Sequence, residues 1–367
     1  MACASAGGVP TRDASPNLQS LFISWLPLVR FASIWPGNDR GVAVAVEQHD
    51  IEQREVVTKK PPVDKVLHAV VTSGALASLV ILGSIAGFLL YRGFQIFSDM
   101  GFGFITGSTW EGTGGEGEFT KYGIAPMLVG SIVLSLIAVF VALPLSVGTA
   151  LFVEFYAPPG LRRVLISILD LAAAIPSVIY GLWGLFVLRP LAIGWAEALN
   201  DHLGWFPLFR VEATFFDGSP FIGGLVLAVM ISPIITSVAR EVFSQTPPEL
   251  IDGARALGGE RWSAIRHIVL PFGRSGVIGG AMLGLGRALG ETVAIYLVVS
   301  IVFKINLQIL FTGTGNIASM IALKFGEASP YEVKALLASG FVLFVVTLIV
   351  NLIATAIVNN SARKAAK

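Results

Sequence analysis

Apolar residues in this chain fall into long unbroken blocks separated by short polar or glycine-rich connections. A helix that crosses a bilayer needs about 20 mostly apolar residues. Six windows meet that requirement: Val66–Tyr91, Ala125–Phe152, Val164–Leu188, Phe221–Val242, Gly276–Phe303 and Ala335–Val358. The third is the weakest, with Asp170 near its start and Pro176 near its middle. No window alternates polar and apolar positions with a period of two, the signature of a transmembrane barrel strand. The pattern predicts an all-α polytopic membrane protein of six transmembrane helices.

Composition narrows the function classes. Charged residues are only 13% of the 367, the AVILMFWYC set is 54%, and the mean hydropathy is +0.76. A disordered chain needs the opposite balance. A formal net charge of +1 leaves no basic excess to meet a nucleic-acid backbone. The single cysteine, Cys3, excludes an intrachain disulfide, and the four histidines have no metal-ligand spacing.

Lysine and arginine set the expected orientation. One side carries Arg54, Lys59, Lys60 and Lys65, then Arg162 and Arg163, then Arg240, Arg255, Arg261, Arg266 and Arg274, and finally Arg363, Lys364 and Lys367. The other side carries half as many: Arg92, Lys121, Arg189, Arg210, Lys304, Lys324 and Lys334. The richer side is expected to be cytoplasmic, with both termini inside. Residues 1–60 fall outside the bundle. Leu18–Trp35 is apolar but broken by Pro27 and Arg30, and no small-residue cleavage site marks a secretory signal. This segment reads either as a mobile extension or as sequence upstream of the true start. The outside loops expected are Phe94–Ile124, Arg189–Pro220 and Lys304–Lys334. The first holds a glycine-rich turn with Glu111, Glu116 and Glu118, whose charges would repel an anion.

The most distinctive connection is residues 246–271, between the fourth and fifth windows. Thr246, Pro247 and Glu249 have the spacing of a capping box with proline at the first helical position. Leu250, Ile251, Ala254 and Leu257 then recur with helical period, and Gly258-Gly259 ends the helix. A second short helix is expected to carry Trp262, Ile265 and Val269 and to stop before Pro271. Such a protrusion, apolar on one face and charged elsewhere, suits a groove on another protein. The offsets of Asp252, Gly253, Ala254, Gly258, Ile268, Leu270 and Pro271 resemble the EAA loop of ABC-importer permeases. Asp252 stands where that family has Glu, and Gly253 where it has Ala. The resemblance implies that these residues form the coupling helix that docks into an ATPase subunit. The chain itself has no Gly-x-x-x-x-Gly-Lys-Ser/Thr, so no ATP site of that kind.

In the fifth window Gly276, Gly280, Gly284 and Ala288 form a small-residue stripe, suited to close helix packing in lipid. Arg287 and Glu291 are four apart, so they share a face beside that stripe. Ionisable residues at this depth are costly and turn toward protein or water. They read either as an internal ion pair that holds helices together or as a cation set where an anion crosses. Arginine suits the second role because its fork bonds two oxygens and it stays protonated. Glu291 would then weaken the hold enough for release. Three windows contain an internal proline, Pro144, Pro176 and Pro233; the neighbouring Ser177 and Ser232 could offer hydroxyls to a passing anion.

Leu285–Thr292 (LGRALGET), Ala173–Phe186 and Leu143–Gly148 resemble the fifth, third and second spans of the PstC-type permease family of phosphate ABC importers. The resemblance covers about residues 65–360. It implies a MetI-like fold over residues 61–360, followed by a basic tail at 361–367, in a bacterial inner membrane. It also implies import of inorganic phosphate rather than enzyme activity, and a pathway role for Arg287 and Glu291. The implied partners are a homologous PstA-like permease, two PstB-like ATPases carrying ATP and Mg, and an extracytoplasmic PstS-like phosphate-binding protein. No cofactor or metal is expected on this chain. Arginine chemistry alone also admits sulfate or molybdate. A proton-coupled carrier would need Glu291 or Asp170 to titrate but would not need the loop.

Overall fold

The computed structural model describes residues 62–111, 121–212 and 215–365. The expected N-terminal extension and most of the acidic glycine-rich turn lie outside them. Residues 63–367 form one contact unit. Its helices are α1 (Pro62–Met100), α2 (Gly103–Thr106), α3 (Ala125–Leu151), α4 (Pro159–Ala174), α5 (Ser177–Trp183), α6 (Arg189–Leu203), α7 (Pro220–Ser244), α8 (Pro248–Ala256), α9 (Arg261–Ala264), α10 (Leu270–Leu289), α11 (Val293–Val298), α12 (Ile317–Lys324) and α13 (Pro330–Ala365). Wider π-turns at Phe152–Tyr156, Gly184–Leu188 and Ile265–Val269 extend α3, join α5 to α6 and join α9 to α10. A two-residue antiparallel pair, β1 (Trp110–Glu111) with β2 (Lys121–Tyr122), completes the described elements.

Six helical stretches are long and apolar enough to cross a membrane: 66–100, 125–156, 177–203, 220–244, 261–289 and 330–358. Four coincide with the sequence windows apart from their ends. The third does not. Val164–Leu188 is divided at Ile175–Pro176, both extended, and α4 on its near side carries Arg162, Arg163 and Asp170 and buries nothing within this chain. The crossing stretch instead begins after Pro176 and runs through Arg189 to Leu203, so the expected outer loop from Arg189 shrinks to residues 204–219. Proline imposes the break: it lacks an N–H and biases the residue before it away from helix.

The fifth window is displaced the opposite way, toward the N-terminus. Helix continues from Arg261 through Pro271 to Leu289, although a stop before Pro271 was expected. The π-turn at Ile265–Val269 sets Pro271 in the first turn of the resumed α-helix, where a missing N–H costs nothing. At the other end the helix stops at Leu289, and the chain beyond α11 is irregular as far as Asn316.

Helix α7 lies at the centre. Ile222, Val226, Leu227, Met230, Ile231 and Ile235 are buried against α3, α10 and α11. Its interior Pro233 and the interior Pro144 of α3 sit at one level. Ser146 donates to the Ser232 carbonyl at 3.0 Å, and the Thr236 hydroxyl donates to the same carbonyl at 2.7 Å. The Ser146 bond ties α3 to α7 at the level of the two prolines. A second core forms where α1, α3, α12 and α13 meet, around Ile96, Met127, Met320 and Leu336. Beside it Trp110 packs on Tyr122 and Phe303 and donates to Glu332 at 2.6 Å. Burial first, and then the Glu332 carboxylate, raise the Tyr122 phenol above its ordinary pKa.

Candidate substrate pathway and coupling loop

The loop is built largely as its chemistry dictates, with one shift at its start. Helix α8 begins at Pro248 with Pro247 as cap and no side-chain capping bond. The capping box is therefore unmade, and the Thr246 hydroxyl is buried without a partner. Gly258 takes φ +85, a left-handed conformation that glycine adopts without a Cβ clash. Its N–H bonds the Arg255 carbonyl at 2.9 Å, and that of Gly259 bonds the Ala254 carbonyl at 3.0 Å. No residue of α8 is buried; Leu257 is 91% exposed, Leu250 is exposed, and the Gly253 position is open. Asp252 and Arg255 pair across the exposed surface at 3.3 Å.

The root of the loop is packed. Ile251, Ile265, Val269 and Leu270 join Ala239 and Phe243 of α7 and Ala150, Leu151 and Phe155 at the end of α3. Ile268 is half-buried and Pro271 exposed. Arg261 donates to the Phe155 carbonyl at 3.2 Å, and its guanidinium lies 5.5 Å from the centre of the Tyr156 ring. Arg162 grips both oxygens of Glu154 at 2.6 Å, joining the end of α3 to the first turn of α4. The loop is thus fastened to α3 and not only to the two helices it connects. Arg261 entered the sequence reading only as a charge for orientation; its partner, more than 100 residues away, carries no local signal.

The small stripe of α10 faces α7. A Cβ at Gly276 would overlap Val242, one at Gly284 would come within 2.8 Å of Ile235, and one at Gly280 within 3.2 Å of Val238. Ala288 is buried on the same line. Arg287 lies in the last turn of α10, where a cation suits the helix dipole. At 1.5 Å per residue it stands roughly 24 Å along the helix from Pro271, within the stretch 261–289 that is long and apolar enough to cross a membrane.

Arg287 and Glu291 do not share a helical face as expected. Gly290 caps α10, and the Glu291 N–H turns back to the Ala288 carbonyl at 3.3 Å, one residue tighter than an α-helical bond. Arg287 is exposed on this chain, and among the described residues it makes no ion pair. Glu291 is 7% exposed, and its carboxylate accepts the Ala294 N–H at 3.2 Å in the first turn of α11. The internal ion pair is thus absent, and the arginine is left available to another group.

The two serines do not join Arg287 through any hydrogen bond among the described residues. The Ser232 hydroxyl donates to Ala228 on its own helix at 2.7 Å, and Ser177 is half-buried at the first position of α5. Tyr180, one turn beyond, was missed: its phenol donates at 2.7 Å to the Ala172 carbonyl, across the break at Pro176. Asn316 was also missed. It is 1% exposed, caps α12 by accepting the Ser319 N–H at 2.9 Å, and donates its side-chain amide to the Glu291 carbonyl. Gly-Thr-Gly-Asn ahead of an apolar run was the available signal for a cap, but nothing in it points back to residue 291.

An unpaired guanidinium on the flank of a membrane helix can grip two oxygens of an oxyanion, provided protein or water rather than lipid covers it. Residues 142–367 match the family described as binding-protein-dependent transport system inner membrane component. The phosphate transport system permease protein PstC of Xylella fastidiosa (strain 9a5c) is 42% identical over 299 residues, 80% of this chain and 90% of that protein. The protein of the same name from Mycobacterium leprae (strain TN) is 42% identical over 273 residues, 74% of this chain and 85% of that one. A chain in the crystal structure of a bacterial alginate ABC transporter, in complex with an alginate pentasaccharide-bound periplasmic protein, superimposes with a TM-score of 0.52 at 17% identity. It covers 79% of this chain and 93% of that one, a likeness of fold alone. The chain belongs to the binding-protein-dependent transport system inner membrane components, the MetI-like permeases of ABC importers.

Proposed function

We propose that the chain is the transmembrane permease subunit of an ABC importer that moves inorganic phosphate into the cytoplasm, driven by ATP hydrolysis on separate subunits. The observation that carries this reading is the 42% identity, over 90% of its length, to a protein named as a phosphate transport permease. The unpaired Arg287 at membrane depth supports it. A phosphate dianion presents the paired oxygens that an arginine fork fits, and Glu291, bonded to the first turn of α11, does not neutralise that arginine. The exposed flank that carries Arg287 is covered by a second, homologous permease, so each chain supplies half of the pathway. An extracytoplasmic phosphate-binding protein delivers the substrate.

The loop at 246–271 docks into one of two ATPase subunits, on which ATP and Mg reside. Both termini and the loop lie on the cytoplasmic side, in keeping with the lysine and arginine excess there. Docking displaces the packed root of the loop, and a rigid helix pair carries that displacement to the spans. The test is uptake of labelled phosphate and labelled sulfate by vesicles holding the reconstituted complex with ATP inside. Phosphate uptake that sulfate does not compete away supports the reading. Sulfate or molybdate uptake without phosphate uptake overturns the substrate, and uptake without ATP overturns the energy source.

A further inference from the structure

We propose that Asn316 is a positioning residue of the pathway, which keeps Arg287 available to the anion by holding Glu291 away from it. The inference rests on the pathway reading of Arg287 given above. Were α10 to continue one more turn, Arg287 and Glu291 would stand at i and i+4 and would pair. An arginine neutralised in that way offers little to a dianion. What prevents the pairing is the break at Gly290, and the break needs a partner for the main-chain group it strands. That group is the Glu291 carbonyl, and Asn316 is the residue that donates to it.

Asn316 is itself fixed on every side. Its side-chain oxygen accepts the Ser319 N–H at 2.9 Å, its carbonyl accepts the Ser319 hydroxyl at 3.1 Å, and the next N–H, of Ile317, donates to Ser131 of α3 at 3.1 Å. Gly315 approaches α3 so closely that a Cβ at Gly130 would overlap the Gly315 carbonyl. Asn316 therefore holds Glu291 from a rigid anchor, and the carboxylate stays directed at the Ala294 N–H. Only an amide fills this place. Serine or aspartate would still cap α12 through an oxygen, but neither supplies the N–H that reaches residue 291.

The test is the concentration dependence of labelled phosphate uptake in vesicles holding the complete complex with ATP inside, for Asn316→Ser, Asn316→Asp, Glu291→Gln and the double variant Glu291→Gln/Asn316→Ser. Co-purification of the ATPase subunits and the melting temperature serve as controls on assembly. We expect Asn316→Ser to raise the KM for phosphate about tenfold, as the loss of one strong ion contact would, in a complex that still assembles. In the Glu291→Gln background the same substitution should change the KM less than twofold, because no anion remains to pair with Arg287. Asn316→Asp, whose added charge can approach Arg287 as well, should raise the KM in both backgrounds. Equal KM increases for Asn316→Ser in the two backgrounds, or none in either, overturn the proposal. If Arg287→Ala transports phosphate as the parent does, the pathway reading fails and takes this inference with it. Loss of uptake in Arg287→Ala together with equal Asn316→Ser effects removes the inference alone.

Discussion

Arg287 and Glu291 are separated by a helix break that exposes the first and buries the second. The arginine ends α10 and is exposed on this chain, while the glutamate is 7% exposed and bonds the first turn of α11. Two residues with the spacing of an ion pair therefore act as independent charges. Exchanging two charges can preserve an interaction only where the two face each other, and these do not.

That separation predicts the outcome of a charge exchange. Arg287→Ala should abolish phosphate uptake while the complex still assembles. The double variant Arg287→Glu/Glu291→Arg should stay inactive, because it sets an anion on the exposed flank and a guanidinium where one N–H offers itself. Vesicle uptake and subunit co-purification are the measurements. Uptake restored by the exchange would mean that the two side chains do pair in the working protein.

Gly258 yields a prediction about backbone alone. Its φ is +85, and nothing stands within 4 Å of the position a Cβ would take. A substitution there meets no neighbour, yet it pays the left-handed penalty of about 1–2 kcal/mol. Recovery of the ATPase subunits with the permease should decline in the order Gly, Asn, Ala, Val, with uptake following it. Equal recovery across the series would show that the turn does not position the docked helix.

The contrast between the two ends of α10 explains what was legible from sequence. The stripe Gly276, Gly280, Gly284 and Ala288 is a local, periodic pattern, and the structure presents it to α7. The six-span count is equally local, since block length alone decides it. The third span was misread because hydropathy does not register a proline break: Val164–Ala174 and Ser177–Leu188 are both apolar, and only Pro176 divides them. The relation of Arg287 to Glu291 was misread for a kindred reason. A four-residue spacing means one face only if the helix persists, and α10 ends at Gly290, where the Glu291 carbonyl takes its bond from Asn316, 25 residues further on. Arg261 repeats the lesson, its role being fixed by a carbonyl at Phe155.

Glycines within a single helix should divide by environment. At Gly276 a Cβ would overlap Val242, so Gly276→Ala must push α10 off α7, and it should lower the melting temperature of the detergent-solubilised complex by several degrees. Three residues on, Gly279 has nothing within 4 Å. Gly279→Ala should leave the melting temperature equal or higher, by up to about 1 kcal/mol of helix propensity. If both variants melt alike, the close packing of α10 on α7 is wrong.

At the root of the loop Arg261 makes the polar link to the end of α3, through the Phe155 carbonyl and the Tyr156 ring, beside the apolar packing of Ile265 and Val269. Both contacts are exposed, so they add little to stability; a cation over a ring at such a site is worth about 0.5–1 kcal/mol. Their value lies in direction. Helix α3 runs from this corner to Ser131, which accepts the Ile317 N–H beside Asn316. A displacement of α8 that drags Phe155 would thus be felt at the anchor of Glu291. Arg261→Ala should leave the ATPases bound and hydrolysing while phosphate delivered per ATP falls several-fold. Arg261→Lys keeps a cation near the ring but loses the planar donor, so it should recover part of the yield. An unchanged phosphate-to-ATP ratio in Arg261→Ala would mean that α3 is moved through its apolar packing on Ile265 and Phe243 instead, with the arginine a bystander at the corner.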